Sequence, residues 1–155
     1  MPVPSSPDED VIRTNLVQRL LARLVSASPI YASTLSTLAL SCVERGLVLA
    51  TLTLTPVHVN SRGSLHGAVS ATIVDLVTGL AIASWDGRGS TGASVDMHLS
   101  YLSTAAVGDE VQIEARAQRV GGSLAFVTVR IMRGQEVVTL GQHTKYVKGT
   151  APALV

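Results

Sequence analysis

The chain predicts an α+β domain in which a curved antiparallel sheet of six strands wraps one long buried helix. Three observations carry that expectation. Residues 66–85, HGAVSATIVDLVTGLAIASW, are apolar on every helical face and hold one formal charge, Asp75, so such a helix must be enclosed. Six runs rich in Val, Leu, Ile and Thr, most of them separated by glycine-bearing turns, read as strands. An amphipathic helix precedes them all, and 155 residues suit a single core.

The first element opens at Ser6-Pro7-Asp8-Glu9, where Ser6 caps, Pro7 takes the first helical position and Glu9 bonds back. Ile12, Leu16, Leu20 and Leu24, flanked by Val17 and Leu21, form its apolar stripe against Arg13, Gln18, Arg19 and Arg23. Ser28-Pro29 ends it. Residues 37–55 then read as a hairpin turning at Glu44-Arg45-Gly46, and residues 56–65 as an irregular loop.

The apolar helix follows. A membrane span competes for it by length, but the central acid, the small residues and the lack of basic flanks favour an enclosed helix. Strand runs at roughly 92–103, 110–120, 123–133 and 136–147 come next. Gly108-Asp109, Gly121-Gly122 and Gly134-Gln135 separate them, so consecutive runs are expected as antiparallel neighbours. Alternation places Ser94, Asp96, His98 and Ser100 on one face of the first run and Val95, Met97, Leu99 and Tyr101 on the other.

Composition narrows function. With 46% hydrophobic but only 15% charged residues, a monomer would expose apolar patches, so a subunit interface is expected. The net charge of +1, with no basic stripe, argues against nucleic acid. The single cysteine, Cys42, excludes an internal disulfide and is expected as a small buried residue. The acidic opening residues argue against an export signal, so a cytoplasmic location is expected, with a mitochondrial address as the alternative. Nothing near His58 or His98 completes a metal set.

The chemistry concentrates in Asn60-Ser61-Arg62-Gly63-Ser64-Leu65-His66-Gly67 and in Asp75 beyond it. The first N–H groups of a helix lack intrahelical acceptors and carry the positive end of its dipole, so an oxyanion is stabilised there. Gly67 has no side chain to keep a carbonyl from its N–H, and the Asn60 amide supplies a second donor. Asp75 is the carboxylate available as base or nucleophile, with Ser94 placed to hold a water. Eight residues separate Gly67 from Asp75, about 12 Å of helix, so one chain cannot bring both to one carbon. Two helices antiparallel across a twofold axis can, which makes a dimer with two composite sites the expected unit. A buried acid merely bonded to Ser or Thr neighbours is the alternative for Asp75.

The run NSRGSLHGAVSATIVDLVTGLAI, with TGASVDMHLSYLSTAAVGDEV and the closing GQHTKYV, resembles the hotdog-fold acyl-CoA thioesterases of the phenylacetate-degradation type, in particular the thioesterase superfamily member two branch, over roughly residues 10–148. The resemblance implies a hotdog domain between short termini at 1–9 and 149–155, assembled as a homodimer or homotetramer and hydrolysing acyl-CoA without a cofactor. It implies that Asn60 and Gly67 polarise the thioester carbonyl, that Asp75 of the partner subunit is base or nucleophile, that Ser94 assists the water, and that His66 holds the loop. For the coenzyme it implies Asp96, Tyr101, Arg119, Gly121, Ser123 and Tyr146. Ala68 stands where these enzymes usually have glycine, and Ala106 and Gly122 where lysine is common, so the basic set for the phosphates is only partly kept. Competing expectations are a related enzyme acting on carrier-protein thioesters and a non-catalytic acyl-CoA binder. The histidine and lysine of His143-Thr144-Lys145 read either as phosphate contacts or as solvated charge, and Trp85 either as an acyl-channel wall or as plain packing.

Overall fold

The computed structural model describes residues 6–153. Helix α1 spans Pro7–Ala27, α2 Pro29–Thr34 and α3 Gly67–Asp86. The strands are β1 Ala39–Glu44, β2 Leu47–Thr53, β3 Ala93–Tyr101, β4 Glu110–Val120, β5 Leu124–Arg133 and β6 Glu136–Tyr146, with one short 3-10 turn at Pro56–His58. All six strands form a single antiparallel sheet in the order β1-β2-β4-β5-β6-β3.

Helix α1 starts as its residues dictate: Ser6 and Glu9 exchange both capping-box hydrogen bonds, 3.3 Å and 3.0 Å. Residues 7–9 therefore belong to the helix rather than to the expected N-terminal tail, while residues 1–5 and 154–155 lie outside the described residues. The buried stripe is Val17, Leu20 and Leu21, with Leu16 and Leu24 half-buried against the core. Ile12, expected in that stripe, is 68% exposed. Arg13 sends its guanidinium 2.7 Å to the Ser84 carbonyl, and Arg23 donates to the Gly89 carbonyl. Arg13 thus binds a last-turn carbonyl of α3, where a cation offsets the dipole, and Arg23 binds the loop just beyond the helix.

Helix α3 is enclosed. Ile73, Leu76, Leu80 and Ile82 are fully buried, each worth about 2 kcal/mol of transfer free energy. Of the helix's most apolar window, 72% is buried inside the protein, in keeping with a core helix and against the membrane reading. Gly87, at φ +81°, closes it in the left-handed cap that favours glycine, its N–H bonded to the Ala83 carbonyl. The inner sheet face against α3 is made of Val48, Leu52, Ile113, Val127, Val129 and Ile131.

Two expectations about the sheet are corrected. Strand β4 does not neighbour β3: the chain leaves the β3 edge, crosses through residues 102–109 and enters the sheet between β2 and β5. Glycine turns at 108 and at 121 look alike in sequence, but only the second closes a hairpin. The register of β3 also breaks between Ser94 and Asp96, where Ser94 pairs Lys145 but Asp96 already pairs Thr144. This bulge at Val95 turns Ser94 to the inner face, with Met97 and Leu99, and leaves Asp96, His98 and Ser100 outside. The four alternating polar residues therefore do not share one face.

Cys42 is half-buried rather than enclosed, its Sγ 3.8 Å from Glu44, and burial together with that carboxylate pushes the thiol up from its ordinary value. Trp85 packs under the β1–β2 turn: a Cβ on Gly46 would lie 2.8 Å from its ring, and Arg45 covers it at 5.1 Å. Packing is thus its role. The short helix α2 follows α1 with no sequence expectation behind it.

Candidate active site

The loop before α3 is stapled to itself. Val59 bridges Leu65, and the Asn60 N–H donates to the Ser64 carbonyl at 2.8 Å. The Asn60 side-chain oxygen accepts from the backbone N–H groups of Arg62 and Ser64 at 2.9 Å and 3.2 Å. That fixes the amide orientation and leaves its NH2 end for an outside acceptor. His66 is the N-cap of α3, its Nδ1 accepting from Ala68 N–H at 3.0 Å.

His58, only 2% exposed, joins this loop to α2. Its carbonyl accepts from His66 N–H at 2.8 Å, its Nδ1 accepts from Thr55 N–H at 2.8 Å, and its Nε2 meets the Thr34 carbonyl at 2.5 Å. With both ring nitrogens engaged, His58 is structural.

Gly67 is the first residue of α3, and its N–H has no hydrogen-bond acceptor among the described residues. The space where its side chain would lie is occupied, because a Cβ there would sit 3.2 Å from the ring of Tyr101, whose hydroxyl donates to the Gly67 carbonyl at 3.1 Å. Glycine here makes room for Tyr101, a use that motif reasoning did not foresee.

Asp75 lies about 12 Å further along α3 and is half-buried. It opens on a cavity of about 250 Å³ lined by Leu24, Tyr31, Leu76, Thr91, Ser94 and Lys145, among others. The Tyr31 hydroxyl donates to Asp75 Oδ2. Ser94 enters the same cavity because of the Val95 bulge, and its hydroxyl is 2.8 Å from His143 Nε2. Lys145, 7% exposed, reaches Thr91 Oγ1 at 3.4 Å.

Burial, and then the Lys145 charge, push His143 down from its ordinary value, with Asp75 and Asp96 partly opposing. Burial lowers Lys145 likewise, again opposed by Asp75. The Tyr31 phenol is pushed well up, first by burial and then by its bond to the Asp75 carboxylate. It therefore serves as a proton-bearing donor rather than a base.

The expected residues thus fall into separate groups. Asn60, His66, Gly67 and Tyr101 gather at the start of α3, and Asp75 with Ser94 two turns on. Asp96 and Arg119 belong to one cross-strand row over the outer face of the sheet, Arg119–Phe126–Thr144–Asp96. Gly121 and Ser123 bracket the β4–β5 turn, Gly121 N–H to the Leu124 carbonyl and Ser123 carbonyl to Val147 N–H, both 2.8 Å. Tyr146 pairs Leu124 beside them. Tyr31, His143 and Lys145 join the acid group. The period-two pattern Gly141, His143, Lys145 on β6 carried a signal for two of them, since all three take the inner face. Tyr31 gave none. Among the described residues no cluster of three or more His, Cys, Asp or Glu is placed to hold a metal.

An enclosed helix with open amides at its start, an acid two turns along and a curved antiparallel sheet around it define a hotdog-fold domain. Comparison with known proteins agrees. Residues 62–140 match the thioesterase superfamily family model. Acyl-coenzyme A thioesterase 13 of Mus musculus is 37% identical over 91 residues, 57% of this chain and 64% of that one, so the match spans just under two thirds of the mouse protein. The Homo sapiens protein of the same name is 34% identical over 103 residues, 65% of this chain and 73% of that one. The crystal structure of zebra fish thioesterase superfamily member 2 superposes with a TM-score of 0.77 at 30% identity, covering 85% of this chain and 96% of that one. This chain belongs to the thioesterase superfamily.

Proposed function

We propose that the protein hydrolyses acyl-CoA thioesters to the free acid and CoA in composite sites formed between two copies of the chain. The acyl-CoA class rests on the relatives named above; the composite site rests on one observation. Gly67 and Asp75 stand on the same continuous helix, separated by a rise no substrate carbonyl can bridge. Further support comes from β3, an edge strand paired with β6 alone among the described residues, whose free backbone edge and exposed Val95 and Tyr101 suit pairing with a second copy.

In this reading the Asn60 amide and the Gly67 N–H of one protomer receive the thioester oxygen as it gains negative charge. Asp75 of the partner subunit takes a proton from a water held by that subunit's own hydroxyl at position 94. The water oxygen bonds to the carbonyl carbon, the carbon–sulfur bond breaks, and the CoA thiolate recovers a proton. Ser94 is suited to hold the water because His143 fixes its hydroxyl. A homodimer is the smallest unit that completes this site; a homotetramer pairs two of them.

The test is Asp75→Asn, assayed for CoA thiol release from short, long and aromatic acyl-CoA esters. Loss of a positioned base lowers kcat about a thousandfold, with circular dichroism and assembly size unchanged. Retention of the wild-type rate overturns the proposal. Parallel rates on carrier-protein thioesters identify the thiol carrier.

A further inference from the structure

We infer that Tyr31 is a positioning residue for the reaction: from α2 its phenol holds one oxygen of Asp75 and thereby turns the other toward the cavity shared with Ser94. The inference rests on the reading of Asp75 as base or nucleophile and adds a residue outside the matched family segment, which begins at residue 62.

The physical need is plain. An aspartate carboxylate rotates about a broad, shallow torsion, so packing of its Cβ alone does not fix where its oxygens point. Among the described residues, Tyr31 is the single hydrogen-bond partner of Asp75. With Oδ2 taken by the phenol, Oδ1 is left for water or substrate. Lys145, buried and lining the same cavity, interacts with the carboxylate through its charge.

The tyrosine is itself held from several sides. Its ring packs against the core. The Leu35 N–H binds the Tyr31 carbonyl at 2.7 Å, with Leu35 fully buried, and His58 grips the Thr34 carbonyl at the end of the same short helix. Pro29 sets the first turn of α2, and the Ser28 N–H ties back to the Leu24 carbonyl of α1 at 3.1 Å. A phenol carried on so constrained a turn fixes its acceptor, whereas one on a mobile loop would follow it.

The test is Tyr31→Phe in the full chain and native assembly, since phenylalanine keeps the ring that lines the cavity and removes only the hydroxyl. A freed carboxylate loses alignment, and kcat falls about tenfold. KM for acyl-CoA stays within about twofold, as uniform binding is untouched. The loss therefore falls on kcat and not on KM, a split that a merely structural role of the ring would not produce.

A readout independent of turnover is the Asp75 side-chain carboxyl carbon in protein labelled at aspartate and assigned with Asp75→Asn. Its chemical shift at fixed pH moves in Tyr31→Phe, because the carboxylate loses the phenol as a hydrogen-bond partner. A variant whose kcat and Asp75 carboxyl chemical shift both match wild type overturns the inference. If Asp75→Asn abolishes turnover while Tyr31→Phe behaves as wild type, the role of Tyr31 alone fails; if Asp75→Asn is fully active, the reading of the site fails first.

Discussion

Two inactive proteins should restore each other. The Asp75→Asn chain keeps its amide donors, and the Asn60→Ala chain keeps its acid; each protein alone falls to about 1% of wild-type turnover or lower. Because α3 separates Gly67 from Asp75 by about 12 Å, the composite-site proposal has a chain donate its amides to one site and its acid to the other. Random re-pairing makes about half the dimers mixed. Each mixed dimer holds one site with both groups intact and one with both lost. The mixture therefore recovers about one quarter of wild-type activity, half of the dimers times half of their sites. The assay is CoA thiol release after co-refolding or co-expression with two distinct tags, with tandem purification to isolate the mixed dimer, which reaches about one half. A mixed dimer no more active than its parents, under conditions where wild type survives the same exchange, would refute the reasoning, because both groups would then act within one chain.

Two further outcomes follow from the packing. Gly92 sits at φ +73°, and a Cβ there would lie 1.9 Å from the Tyr146 carbonyl oxygen, so Gly92→Ala costs about 3 kcal/mol or more; a urea midpoint within about 1 kcal/mol of wild type contradicts this. His143 is harder to protonate folded than unfolded, its ordinary value being 6.5. The unfolded chain therefore takes up more protons as pH falls through that value, and this linkage leaves stability intact above it and erodes stability below it. His143→Gln flattens the decline in the urea midpoint between pH 7 and 5, and an unchanged slope counts against the assignment.

Much of the fold was legible because its signals are local. The all-round apolarity of residues 66–85 demanded enclosure, and Ser6 with Glu9 announced the first helix. Strand neighbours were less legible, since the turn at Gly108 resembles a hairpin turn while the strand it precedes pairs β2 and β5. The facing of Ser94 depended on a one-residue bulge that alternation hides. The open N–H at the start of α3 could be read from helix-start physics, although the use of the space beside Gly67 by Tyr101 could not. Tyr31 was invisible because its meaning lies in a contact with a residue 44 positions away.

His58 has a consequence that reaches beyond its own bonds. Its imidazole braces the turn that carries Tyr31, while its carbonyl braces the segment that carries Asn60 and Gly67. Under the composite-site proposal these two segments of one chain would serve different substrates, and a single imidazole and its carbonyl would then be the strut common to both chambers.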